Sequence, residues 1–194
     1  MAHINSICVY CGSRSGRNGR FKIMAQDFGG LLAQNNIRLI YGGGNIGLMG
    51  IIANRVMKQG GKVTGIIPRH LDEAEGGWKE ATDFFVVDNM HDRKRMMFDH
   101  SDAFVALPGS IGTLDELIEV ITWRQLGLHN KPIVIVNIDD YWQPLFALID
   151  NFIAEEFTAP ETRDLFHVVP AAQDVIPLLK SLPEIPLITK NTLI

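Results

Sequence analysis

The sequence predicts an α/β fold: a Rossmann-like, doubly wound, mainly parallel sheet with helices on both faces. Three observations predict it. Short runs rich in β-branched residues alternate with helical periodicity along the whole chain. Several of those runs are apolar at consecutive positions, as strands covered on both faces require. Three Gly-rich segments follow strand-like runs, at the carboxyl-end loops where open α/β sheets bind ligands. At 194 residues the chain suits one domain. That domain is expected over residues 1–180, followed by a Pro-broken tail, "SLPEIPLITKNTLI", over 181–194.

Taken in order, "INSICVY" (4–10), "IRLIY" (37–41), "KVTGII" (62–67), "DFFVV" (83–87), "DAFVAL" (102–107) and "KPIVIVN" (131–137) read as strands. A last strand is expected at "HVV" (167–169). Helical patterns lie between them at 20–35, 47–59, 89–100, 113–127 and 141–155, with another at 172–180.

Composition narrows the possibilities. The chain is 46% hydrophobic and 21% charged, ordinary for a globular protein with a continuous core. A net charge of -4 argues against general affinity for nucleic acid or an anionic membrane. No apolar run has the length of a membrane span, and "MAHINSICVYCGS" lacks the layout of a signal peptide, so the expected compartment is the cytoplasm. Cys8 and Cys11 form C-x-x-C, but within a strand rather than at a helix N-terminus. Alternation points them to opposite faces, so a structural role is expected, and no second Cys pair completes a zinc site.

The three Gly-rich loops are "CGSRSG" (11–16), "YGGGNIGLMG" (41–50) and "LPGSIGTLDE" (107–116). Glycines there allow close backbone approach, and the N–H groups of the following helix favour an anion such as phosphate. The second loop contains a literal G-x-G-x-x-G at Gly42, Gly44 and Gly47. It follows the second strand rather than the first, and the next strand ends in "GIIPRH" instead of a ribose-binding acid, which argues against a dinucleotide. Neither a Walker A lysine, a G-x-S-x-G elbow nor an H-E-x-x-H pair is present. No cofactor and no metal are expected.

Two side-chain groups stand out near these loops. Arg93, Lys94 and Arg95 crowd one turn of the helix starting near 89. Such a run is commonly a solvated face, yet an Arg at this edge can hold a phosphate or carboxylate bidentately. Asp115 and Glu116 fall in the first turn of the helix expected from 113. Thr113-x-x-Glu116 reads as a capping box, and equally as a carboxylate aimed at whatever the loop holds. His91 is the only histidine nearby, and Met90 and Met97 are either pocket wall or core.

Together these segments resemble the LONELY GUY family of cytokinin-activating phosphoribohydrolases, formerly labelled lysine decarboxylases. "LPGSIGTLDE" is similar to its PGGxGTxxE signature and "MHDRKRMM" to its Arg-Lys motif. "YCGS", "YGGGNIGLMG" and "LDELIEVITWRQLGLHNKPIVIVN" match as well. The resemblance covers roughly residues 5–180, and Ser110 replaces the second glycine of the signature. A serine keeps the backbone N–H but is strained if its φ is positive. No lysine occupies a recognisable Schiff-base position.

The resemblance implies hydrolysis of the N-glycosidic bond of N6-modified AMP, giving free base and ribose 5-phosphate. It implies Arg93 and Glu116 as the catalytic pair. It implies Glu75, Lys94, Ser110, Ile111, Gly112, Thr113, Leu114, Asp115 and Thr122 as substrate-binding positions, and a homodimer with sites near its interface. The expected partner is thus a nucleoside 5′-monophosphate. A nucleotide or molybdenum-cofactor carrier on the same fold, and a hydrolase of plain AMP, remain alternatives, as does the choice between attack by Glu116 and by water.

Overall fold

The computed structural model describes residues 4–17 and 19–183. Among them, seven strands form one sheet: β1 (Ser6–Tyr10), β2 (Arg38–Tyr41), β3 (Val63–Pro68), β4 (Asp83–Val87), β5 (Ala103–Ala106), β6 (Ile133–Val136) and β7 (His167–Val169). All pairings are parallel, in the order β4-β3-β2-β1-β5-β6-β7. The chain winds outward from β1 to β4, then returns to the far side of β1 with β5. The direction of winding therefore reverses between β1 and β5, where the following loops diverge and open a crevice.

The connections are α1 (Gly19–Gln34), α2 (Gly47–Lys58), α3 (Arg69–Glu75), α4 (Met90–Asp99), α5 (Ile111–Gln125), α6 (Gln143–Ala154) and α7 (Val175–Ser181). Strand alternation divides the core into two layers. Ile7, Val9 and Cys11 face a layer built with Phe28 of α1, Ile52 of α2 and Leu179 of α7. Cys8 and Tyr10 face the opposite layer, with Met97 of α4, Leu117 of α5 and Phe146 of α6. Full burial of each large side chain, such as Phe28 or Phe104, stabilises the fold by about 1.5–3 kcal/mol. Cys8 and Cys11 are free and buried on opposite faces, and burial pushes both thiols far above their usual range. They are packing residues.

The expected strands and long helices are present, and three differences stand out. Helix α5 begins at Ile111, two residues before the expected start. Gly112 lies inside its first turn, so this glycine serves a helix end rather than a preceding loop. The short helix α3 was not expected: Pro68, the last residue of β3, is extended and is also its N-cap, and seven residues carry too little periodicity to be read. The pattern at 172–180 divides into a 3₁₀ turn, Ala172–Asp174, and α7, while further 3₁₀ turns occupy Ile138–Asp140 and Pro160–Leu165. Residues 184–194, most of the expected tail, lie outside the described residues.

Candidate active site

Three loops meet at the carboxyl ends of β1, β2 and β5. Gly12 N–H donates to Pro108 O at 3.1 Å, joining the loops after β1 and β5. Leu48 N–H donates to Gly12 O at 3.0 Å, joining the loops after β1 and β2. Gly47 has φ +63°, and a Cβ there would fall 2.2 Å from the Ser13 carbonyl carbon. This glycine of the G-x-G-x-x-G match thus serves loop-to-loop packing. A cleft of about 430 Å³ opens between the first and third loops, with Tyr141 on its side. The Tyr141 hydroxyl donates to Gly109 O and ties down the turn before α5.

Asn89 caps α4, accepting from Asp92 N–H at 2.9 Å. From there the three cations separate. Arg95 points to solvent and pairs with Asp99 one turn on, at 2.8 Å. Lys94 crosses to α5, where its Nζ lies 3.3 Å from Asp115 and 3.0 Å from Glu119. Burial pushes the Lys94 pKa down, but hydrogen bonds to Glu119 and Asp115 outweigh that and hold it above the usual lysine value. Arg93 turns inward. Its Nη1 lies 2.8 Å from Glu116 Oε1, and its Nε donates to Ile66 O at 3.3 Å.

Both members of this pair are only 7% exposed. The guanidinium passes over Gly42, where a Cβ would lie 1.9 Å from Nη2. The first glycine of the dinucleotide-like match is therefore space for an arginine. Burial pushes the Glu116 carboxyl above its ordinary value near 4.5, and Arg93 pulls it part of the way back. The pair is a buried carboxylate held by one oriented cation, an arrangement suited to acid–base or charge-stabilising chemistry.

The capping-box reading of Glu116 is overturned. The N-cap of α5 is Ser110, and Thr113 lies within the first turn, buried against Gly109, where a Cβ would fall 2.0 Å from Thr113 Oγ1. Asp115 and Glu116 are consequently beyond the first turn, which contains no acid. Ser110 has φ -117°, so replacing the signature glycine introduces no left-handed strain.

The structure gathers some of the expected positions and separates others. Ser110, Ile111 and Gly112 are exposed at the head of α5, Leu114 is half-buried behind them, and Asp115 is exposed beside Lys94. The first intrahelical N–H bond runs from Leu114 to Ser110 O at 2.9 Å, leaving the N–H groups of Ile111 to Thr113 directed out of the helix end. Glu75 closes α3, and the chain beyond it returns to the second loop through Trp78 N–H donating to Gly43 O at 3.0 Å. Thr122 lies about 16 Å along the helix axis from Ile111, at ~1.5 Å per residue, and its exposed hydroxyl donates to Ile118 O. Met97 is core, whereas Met90 is half-buried with its sulfur 4.0 Å from Arg93 Nη1. Among the described residues, no three His, Cys, Asp or Glu side chains are gathered as metal ligands. The sequence reading missed Gly42 as the bed of Arg93 and Tyr141 as the tie on Gly109. The signal for Tyr141 was its place just past a strand, on the ligand-binding edge of the sheet.

A loop-lined cleft and a buried Arg–Glu pair on a doubly wound parallel sheet define an α/β protein with a candidate ligand site at the carboxyl edge of its sheet. The family model described as possible lysine decarboxylase matches residues 49–179. "Cytokinin riboside 5'-monophosphate phosphoribohydrolase LOG3" of Arabidopsis thaliana is 44% identical over 174 residues, covering 90% of this chain and 81% of that one. The "LOG" phosphoribohydrolase of Oryza sativa subsp. japonica is 42% identical over 170 residues, covering 88% of this chain and 70% of that one. The chain belongs to this phosphoribohydrolase family. Among solved structures, the molybdenum cofactor binding protein of Rippkaea orientalis superposes with a TM-score of 0.70 at 21% identity, covering 93% of this chain and 98% of that one. The molybdenum cofactor carrier protein of Chlamydomonas reinhardtii gives 0.68 at 18% identity, over 92% and 97%. At those identities the likeness is one of fold.

Proposed function

We propose that this protein hydrolyses the N-glycosidic bond of N6-modified AMP, releasing the free base and ribose 5-phosphate. The observation that carries the reading is the buried Arg93–Glu116 pair, 2.8 Å apart and one helical turn below the open N-terminus of α5. In this reading the N–H groups of Ser110 to Thr113 hold the 5′-phosphate, and binding energy at this remote group positions the bond to be broken. Departure of the base leaves positive charge on C1′ and O4′. The Glu116 carboxylate stabilises that charge and directs water to C1′, and Arg93 fixes the carboxylate against its neighbours. The C1′–N bond breaks, the base takes up a proton, and the hydroxyl of water is left on C1′.

The protein acts as a single domain over residues 1–180 in the cytoplasm, and as a homodimer. The outer side of α4 and α5 supplies the dimer face. Ile118 on α5 and Leu126 at its C-cap are exposed, 38% and 59% respectively, and Thr122 lies on the same helix. Thr122 then meets nucleotide across the subunit boundary rather than within its own chain.

The test is incubation of the purified protein with isopentenyl-AMP, AMP and isopentenyladenosine, following free base and ribose 5-phosphate. Release from isopentenyl-AMP without release from the nucleoside supports the reading, and the ratio to AMP measures selection of the N6 group. A folded protein that binds nucleotide and releases nothing is a carrier, and the proposal is then wrong.

A further inference from the structure

The loop after β1 carries a cation that the Arg93–Glu116 pair does not use. Arg14 lines the 430 Å³ cleft, with Gly109 and Ser110 on the wall formed by the head of α5. Among the described residues, the lining contains this one cation, the hydroxyls of Ser13, Ser15, Ser110 and Tyr141, and no acid. Arg93, Lys94 and Arg95 are each held by a carboxylate, whereas no ion pair among the described residues engages Arg14. The opposite wall is equally unsatisfied, since the first turn of α5 contains no acid and the Ser110 side chain makes no capping bond. The backbone bearing Arg14 is fixed by the two bonds of Gly12 and by the contact of Gly47 with Ser13. The cleft lining thus combines a helix N-terminus, a guanidinium without an ion-pair partner among the described residues, and the hydroxyls of Ser13, Ser15 and Ser110.

We propose that Arg14 is a phosphate-binding, specificity-determining residue that grips the 5′-phosphate from the wall facing the head of α5. This inference rests on the nucleotide reading above. Neutral N–H groups alone supply hydrogen bonds to a phosphate dianion, and a guanidinium adds the counter-charge and a fork that matches two phosphate oxygens. A grip from both walls selects nucleotides over nucleosides.

Arg14 is exposed on a loop, so Arg14→Ala and Arg14→Lys should fold as the parent does. Each is compared with the parent using isopentenyl-AMP, isopentenyladenosine and inorganic phosphate as a competing ligand. In Arg14→Ala, kcat/KM for the nucleotide should fall roughly 10- to 100-fold, mainly through KM, and phosphate should compete more weakly by a similar factor. Arg14→Lys should recover part of the loss. If the parent releases no base, calorimetric titration with AMP and with inorganic phosphate makes the same comparison, so failure of the hydrolase reading and failure of the Arg14 assignment are separately visible. Equal phosphate and AMP affinity in Arg14→Ala and the parent overturns the proposal, as does a parent that binds neither.

Discussion

Arg93 and Glu116 are two ionisable side chains that would be costly to bury singly, held together at 2.8 Å with 7% exposure each. Glu116→Gln keeps an oxygen that Arg93 can donate to and removes the carboxylate. Turnover should fall about 10²-fold or more while the circular dichroism spectrum is retained. The folded protein binds the Glu116 proton more tightly than the unfolded chain does, because burial raises this pKa above 4.5. As pH rises from 4.5 through the folded value, the parent should therefore lose stability relative to Glu116→Gln, as measured by paired urea titrations. In the proposed mechanism the rate needs the ionised form, so its acid limb should lie above 4.5 and be absent from the residual activity of the variant. Gly42→Ala tests the same pair from beneath. Its methyl would sit 1.9 Å from Arg93 Nη2, so the guanidinium must leave its place. A loss of about 1–3 kcal/mol of stability, accompanied by loss of activity, is expected. Gly19→Ala, where an added Cβ meets nothing within 4 Å, should change neither.

At the scale of elements, α4 and α5 are joined by two kinds of contact. The buried one is Arg93–Glu116, and the outer one is Lys94 between Asp115 and Glu119. Lys94→Met should remove the outer contact at about 1 kcal/mol, measured by denaturant unfolding, because pairs this close to solvent are weak. Activity should fall much less than in Glu116→Gln, since the inner pair remains. The start of α5 shows where sequence reading loses precision. "LPGSIGTLDE" is legible as a glycine-containing turn running into a helix, but Thr113 and Glu116 have the spacing of a capping box, and that spacing puts the helix start two residues late. Spacing reports which residues are able to bond, not which of two competing partners wins. Here Glu116 found a buried guanidinium, and Thr113 found the space above Gly109. The cation run was ambiguous for the same reason: only packing distinguishes the inward Arg93 from the solvated Arg95, two positions away.

For the whole molecule, the reversal of winding between β1 and β5 brings together loops from residues 12–16, 42–47 and 108–113. The exposed apolar side chains Ile118, Leu126 and Leu128 lie on and just beyond α5. If they form the dimer face, Leu126→Asp should convert the protein to a monomer in light scattering and leave its unfolding cooperative. Under the proposed arrangement the same variant should also lower activity, because Thr122, on that helix, would then contribute across the boundary.

The alternation of strands and helices, the doubly covered sheet, the opposed burial of Cys8 and Cys11 and the three glycine-rich loops at the carboxyl edge are all readable from the sequence. These follow from hydrophobic periodicity and glycine placement, which act over a few residues and leave a local record. Packing settles which of three adjacent cations turns inward, that Gly42 makes room for it, and that Glu116 answers it instead of capping its helix. It also brought Arg14 and Ser110 into the lining of one cleft. Those outcomes depend on which residues, far apart in the chain, meet at the sheet edge, and on the cost of burying a charge without a partner. Neither quantity is written in the neighbourhood of any one residue.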